Sequence, residues 1–119
     1  MPRTGGSARV VARLRVMRGE VIALGPGKVD LLRAIAGTGS IGSAAEEMDM
    51  SYMRAWLLIR TMNSAFRKPL VAKSRGGRER GGAALTDLGQ KVLDFYDEME
   101  NAAQKAIQPA WNRLRRSLK

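Results

Sequence analysis

From Arg13 to Met17 polar and apolar residues alternate, and after Arg18, Gly19 and Glu20 comes an apolar run, Val21, Ile22, Ala23 and Leu24. A period of two puts every second side chain on one face of a strand. The stretch therefore predicts a β-hairpin with a turn at 18–20 and one buried face. Gly25, Pro26 and Gly27 interrupt it, and Pro26 suits the first turn of a helix, where its missing N–H loses no partner. Val29, Leu31, Leu32, Ile35 and Ala36 recur at helical spacing until Gly37, Thr38 and Gly39, which predicts a first helix ending there. Ser40 is placed to cap a short second helix over 41–48 by accepting from free amides of its first turn. Ala44 and Ala45 in its middle allow another helix to cross closely. The connection Met48-Asp49-Met50 is long enough only for a sharp turn, and Asp49 is one of the few residues besides glycine that tolerate a left-handed backbone. These spacings describe a helix-turn-helix.

Ser51 caps a third helix whose apolar residues are too numerous for one face. Ala55, Ile59, Met62 and Phe66 form the stripe expected to pack inward, while Tyr52, Met53, Arg54, Leu57 and Arg60 fall outside it. Trp56 borders the stripe and is expected to pack against the first helix or the hairpin. After Lys68 and Pro69, residues 70–73 read as a strand and Ala83, Ala84 and Leu85 as its return. Between them lie four glycines with Arg75, Arg78 and Arg80, a loop that can lie close to a surface while its arginines reach out. A hairpin with such a tip directly after a helix-turn-helix is the wing of a winged helix. Thr86 then caps a last long helix, with Asp87 complementing its positive end. Leu88, Val92, Phe95, Met99, Ala102 and Ala106 follow at alternating steps of four and three, a heptad seam that a single domain could bury internally but that, on a long helix with acidic flanks, favours pairing with a second copy. Pro109 is expected to kink or end this helix, with Trp111 and Leu114 packing locally before a basic tail.

The predicted fold is mostly α with a small β component: a winged helix-turn-helix with an N-terminal β-hairpin and a long C-terminal dimerisation helix. Residues 1–7 are expected to be a flexible basic arm, 8–85 the winged domain, and 86–119 the dimerisation helix and tail. At 119 residues the chain can bury a core without staples. It contains neither cysteine nor histidine, so disulfides, thiolate zinc sites, imidazole catalysis and thiol nucleophiles are excluded, and no metal or cofactor is expected. No apolar run approaches the roughly 18 residues of a membrane span, and the N-terminus lacks the apolar core of a signal peptide. A cytoplasmic location is the expectation.

Charge supplies the partner. The chain has 21 Lys and Arg against 11 Asp and Glu, a net of +10, a balance that favours a polyanion. Basic residues cluster in 1–20, 67–80 and 108–119, whereas 86–107 carries five acids against two lysines. One face for nucleic acid and another for something else would divide a surface in this way.

The residues Leu31-Leu32-Arg33-Ala34-Ile35-Ala36, Gly39-Ser40-Ile41, Ala44-Ala45, Ser51-Tyr52, Ala55-Trp56, Met62-Asn63 and Gly76-Gly77, with Gly81-Gly82-Ala83-Ala84-Leu85-Thr86 and Gly89-Gln90, carry a resemblance. Together they resemble the N-terminal DNA-binding domain of the ModE-type molybdate-responsive transcription regulators of bacteria, whose winged helix is related to the LysR type. The likeness covers about residues 14–107 and rests on the pairing of Ser-Tyr-x-x-Ala-Trp with a Gly-Gly wing. It implies a homodimer, paired through helices flanking the domain, on an inverted-repeat operator near molybdate-transport or molybdoenzyme genes. This chain has Asp49 where the family's turn usually has glycine. Full-length members continue into a pair of small β-barrels that bind molybdate, and no segment here corresponds to them. The resemblance thus implies a regulator that relies on protein abundance or on a separate molybdate-sensing or co-regulatory protein.

The residues expected at DNA are Ser40, Ser51, Tyr52, Met53, Arg54, Leu57 and Arg60, together with Arg75, Arg78 and Arg80 of the wing. Arg54 suits a bidentate pair with guanine, and Met53 or Leu57 a thymine methyl; the wing arginines suit phosphates or the minor groove. Two other DNA- or RNA-centred readings compete: a nucleoid-type binder with little sequence preference, and a single-strand RNA module, which would need more stacking aromatics than six. An enzyme using Asp94, Asp97, Glu98 and Glu100 is the third, but these acids share one exposed helix without a phosphate loop.

Overall fold

The described residues fold into five α-helices and two hairpins: β1 (Val16–Arg18), β2 (Val21–Leu24), α1 (Pro26–Thr38), α2 (Ile41–Glu47), α3 (Tyr52–Ala65), β3 (Val71–Lys73), β4 (Ala83–Leu85), α4 (Asp87–Ala106) and α5 (Gln108–Leu114). The computed structural model describes residues 6–74 and 82–119. Arg75, Arg78 and Arg80 of the wing tip and the first five residues of the expected arm lie outside the described residues.

The first hairpin forms, but shorter and more exposed than its pattern suggests. Arg18 pairs with Val21, so Gly19 and Glu20 alone make the turn, and Gly19 adopts φ 61° as a two-residue turn with glycine first requires. Ala23 and Leu24 are buried, whereas Met17, Val21 and Ile22 are exposed. The expected buried face is thus confined to the base, because the tip projects past the core. Arg13, Leu14 and Arg15 are not part of the strand. The lead-in to the hairpin is held by α4 instead: the Gln104 side chain accepts from the Ala12 N–H at 2.9 Å and donates to the Val10 carbonyl at 2.7 Å. The Tyr96 hydroxyl donates to the Leu14 carbonyl at 2.8 Å. A period of two marks an extended segment; it does not name the partner.

Helix α1 buries Val29, Leu31, Leu32 and Ile35 completely, each worth about 1.5–3 kcal/mol. Its last turn runs past the core, so Ala36 is exposed and Ala34 is the half-buried alanine. Gly39 ends it at φ 79°, its N–H on the Ile35 carbonyl. Ser40 caps α2 by accepting from the Ser43 N–H at 3.0 Å. At the other end Asp49 takes φ 56°, and the amides of Asp49 and Met50 bond back to the carbonyls of Glu46 and Ala45. That is a Schellman turn with aspartate where glycine is usual. Ala44, Ala45 and Ala55 are all buried, which lets α2 and α3 cross closely.

On α3 the expected stripe is inside: Ala55, Ile59 and Met62 are buried and Phe66 is half-buried. The wing strands pair with Val71 opposite Leu85 and Lys73 opposite Ala83, and the Ser74 N–H bonds the Gly82 carbonyl at 2.9 Å. A bridge between Ser40 and Gly82, with the Ala83 N–H on the Gly39 carbonyl, ties the wing to the α1–α2 junction.

Helix α4 begins inside this core. The Thr86 hydroxyl accepts from the Gly89 N–H at 3.0 Å and donates to the Pro69 carbonyl at 2.7 Å. Gly89 passes so close to the chain that a Cβ there would overlap the Leu70 carbonyl oxygen. Leu93 and Tyr96 are buried, and Asp97 pairs with Arg33 of α1, which also reaches Asp30 at 3.2 Å. Burial, followed by the charge of Glu100, raises the Tyr96 phenol above its ordinary pKa. The helix breaks at Ile107, and Pro109 occupies the first turn of α5. Leu114 is exposed there instead of packing locally, since α5 has left the core; Trp111 is half-buried beneath the Arg115 guanidinium, 5.9 Å from the ring centre.

Candidate nucleic-acid interface

The exposed side of α3 is built by the helix's own geometry. Ser51 starts it, accepting from the Arg54 N–H at 3.1 Å, and the buried stripe of Ala55, Ile59 and Met62 sets its rotation. Residues on the opposite side of the helix then face outward. Tyr52, Met53 and Leu57 are 50%, 61% and 49% exposed, and such large apolar side chains grouped on one helix face mark a surface meant to be covered.

Trp56 belongs to this outer face, not to the packing against α1 or the hairpin that the sequence suggested. The Arg60 guanidinium lies over its ring, 5.4 Å from the centre, a cation–π contact worth about 0.5–1 kcal/mol at an exposed site. The reason is angular: one residue past Ala55 is a rotation of about 100°, which carries the indole off the buried stripe toward the wing. Tyr52, Trp56, Arg60 and Asn63 form one wall of a cleft, and Ala72, Lys73 and Gly82 of the wing base form the other. Arg54 takes the opposite flank, beside Lys28 and the start of α1. Lys28 donates to the Ile22 carbonyl, and partial burial lowers its pKa.

Asn63 sets the distance between α3 and the wing. Its side-chain oxygen accepts from the Leu70 N–H at 2.8 Å and the Val71 N–H at 3.2 Å, and its amide donates to the Val71 carbonyl at 3.1 Å. The sequence marks this residue only within the family-like motif; an asparagine near a helix end, a few residues before a strand, is the signal that a clamp was available.

Of the residues expected at DNA, Ser51, Tyr52, Met53, Arg54, Leu57 and Arg60 are all exposed on α3 or at its start, with Tyr52 and Arg60 on the wing side and Arg54 on the opposite flank. Ser40 does not join them: it is 4% exposed and its hydroxyl faces the Ser43 amide. Lys73, which the sequence reading passed over, lines the cleft beside α3. The seam of α4 divides. Leu88 and Val92 pack against the core, whereas Phe95, Met99, Ala102 and Ala106 are exposed. The acids of the enzyme reading are spread over other tasks, with Asp97 on Arg33 and Asp94 accepting from Gln90 at 3.0 Å. No helix among the described residues is long and apolar enough to cross a membrane.

The folded chain resembles the complex of the CbnR DBD with DNA, with a TM-score of 0.54 at 17% identity over 78% of this chain and 97% of that one. ArgP from Mycobacterium tuberculosis aligns with a TM-score of 0.51 at 19% identity, over 71% of this chain and 30% of that one. In sequence, the molybdenum transport protein ModE of Azotobacter vinelandii is 37% identical over 91% of this chain and 40% of its own length. The molybdenum-pterin-binding protein MopA of Rhodobacter capsulatus is 37% identical over 82% of this chain and 37% of its length. The DNA-binding transcriptional dual regulator ModE of Escherichia coli K12 is 40% identical over 69% and 31%. The chain thus spans well under half the length of these relatives. Residues 27–90, from α1 through the wing to the start of α4, match the model of the bacterial regulatory helix-turn-helix proteins of the lysR family. The chain belongs to that family, with a winged helix of the ModE type.

Proposed function

We propose that the protein is a transcription regulator of the ModE type that binds double-stranded DNA sequence-specifically, as a homodimer on an inverted-repeat operator. The exposed face of α3 carries the reading. It presents Tyr52, Met53, Leu57 and two arginines around its exposed side, and an α-helix about 10–12 Å across fits a major groove about 12 Å wide. Arg54 supplies a fork for a guanine and Met53 an apolar contact for a thymine methyl; Lys73 and the wing arginines meet phosphates and add affinity without sequence information.

The second copy is supported by the open part of α4. Phe95, Met99, Ala102 and Ala106 repeat at coiled-coil spacing, and Phe95 is 60% exposed in a protein whose other α4 face is already buried. Two copies joined there would present two α3 helices to half-sites about one turn of DNA, roughly 34 Å, apart or a multiple of it. The names of the relatives point to molybdenum physiology for the target genes, with the signal supplied by a molybdate-sensing or co-regulatory protein or region beyond these 119 residues.

The test is selection of bound sequences from a random duplex pool at about 0.15 M salt. Enrichment of an inverted repeat, lost for Arg54→Ala at one position of each half-site, is the expected result. Binding without enrichment would move the protein to the nucleoid type. A folded Met99→Glu variant is expected to be monomeric in sedimentation and to lose the palindrome preference.

A further inference from the structure

Helix α3 stands between two hairpins, and only one of them is the wing. On the side away from the wing, Arg18 and Val21 at the tip of β1–β2 form one wall of a cleft; Leu57, Arg60 and Thr61 form the other. Arg60 also lines the cleft on the wing side, so the two hairpins approach the same ridge from opposite flanks. A helix about 10–12 Å across, seated in a groove about 12 Å wide, fills it from wall to wall. Whatever flanks that helix must then meet the sugar–phosphate ridges that border the groove.

We propose that the N-terminal hairpin is a second wing, with Arg18 contacting the phosphate backbone on the side of α3 opposite the glycine-rich wing. The inference rests on the DNA-binding reading above and adds a surface to it. The residues lining the cleft include two arginines and no acid, a charge complement to phosphate. Gly19 and Glu20 close the tip in a two-residue turn that sets Arg18 opposite Val21. The neighbouring Met17 and Val21 are exposed and offer apolar contact to the deoxyribose faces between phosphates. Glu20 is the one acid of the turn, and it makes the idea testable in both directions.

The experiment is a salt titration of binding, by wild type and by Arg18→Ala, Arg18→Glu and Glu20→Gln, to the selected duplex and to a random duplex, with thermal melts to verify folding. Arg18→Ala is expected to weaken both duplexes by the same factor and to reduce the log–log salt slope by about 0.9, one phosphate contact. Arg18→Glu should weaken them further, and Glu20→Gln should strengthen them. Hydroxyl-radical footprints should lose protection on one backbone flank of each half-site in Arg18→Ala alone. An unchanged slope and footprint for both Arg18 variants, while Lys73→Ala lowers the slope, would overturn the second wing and leave the DNA reading intact. The hairpin tip would then be free for a protein partner. Failure of the wild type to bind any duplex would overturn both.

Discussion

The two hairpins are alike in size and opposite in how they are held. Each has strands of three or four residues, too short to be stable alone. The wing is tied at its base by polar contacts that leave little slack: Asn63 to Leu70 and Val71, Thr86 to Pro69, Ser40 to Gly82, and Gly89 against Leu70. The N-terminal hairpin is held by the burial of Ala23 and Leu24 and by its lead-in, strapped to α4 through Gln104 and Tyr96. Both hairpins bury apolar side chains at the root, Leu70, Val71 and Ala83 in the wing, and the wing adds the denser set of directional bonds there. Directional bonds fix an angle as well as a contact, so the wing's placement against α3 should be the stiffer of the two.

The sharpest way to break this contrast is Gly89→Ala. The added Cβ meets backbone, which cannot rotate away as a side chain can, so a loss of about 3 kcal/mol or more is expected in denaturant unfolding. Asn63→Ala comes next, at about 2 kcal/mol, since the Leu70 and Val71 amides lose their acceptor. Amide exchange at those two positions should accelerate while the N-terminal hairpin is unaffected; equal acceleration in both hairpins would contradict their separate anchoring. A matched pair sharpens the comparison further. Val71→Ala at a buried strand position should cost about 2 kcal/mol, two methylene equivalents, and Val21→Ala at the exposed tip less than about 0.5.

Tyr96→Phe is the smallest of the losses at buried positions and carries a pH signature. Losing the bond to the Leu14 carbonyl should cost about 1 kcal/mol at neutral pH. Because burial raises the phenol's pKa in the folded state, native Tyr96 favours its neutral form. Its contribution is complete below the unfolded value of about 10 and is lost as pH rises through the higher folded value. Lys28, lowered by burial, acts in the reverse sense nearby, so the measure is the difference between wild type and variant. That difference should shrink above pH 10 in parallel urea titrations; a constant difference would place the hydroxyl in water.

Helix positions were legible because their signals are local. Ser40, Ser51 and Thr86 each accept from the amide three residues on, and Asp49 and Gly39 take the left-handed turns their side chains permit. The outward face of α3 was legible for a related reason, since its inward stripe repeats at 3.6 residues. What was misjudged depends on a neighbour distant in the chain. Trp56 borders the buried stripe yet faces outward, Ser40 caps a helix beside the interface yet is buried, and the alternation at 13–15 reads as a strand while the lead-in at 10–14 is held by Gln104 and Tyr96 of α4. Arg18 reads as a turn residue, and no pattern in its own neighbourhood shows that it borders α3.

By itself, then, the sequence determined the order and ends of the elements, the helix-turn-helix spacing and the basic character, since caps, turns and periodicity act over a few residues and charge is a sum. Only the tertiary structure decided which side chains share a cleft, why position 89 must be glycine, and which part of the α4 seam stays open. Those facts depend on close approaches between residues far apart in the chain, such as Gly89 to Leu70 and Gln104 to Val10, and a local pattern carries no information about what the other segment will be.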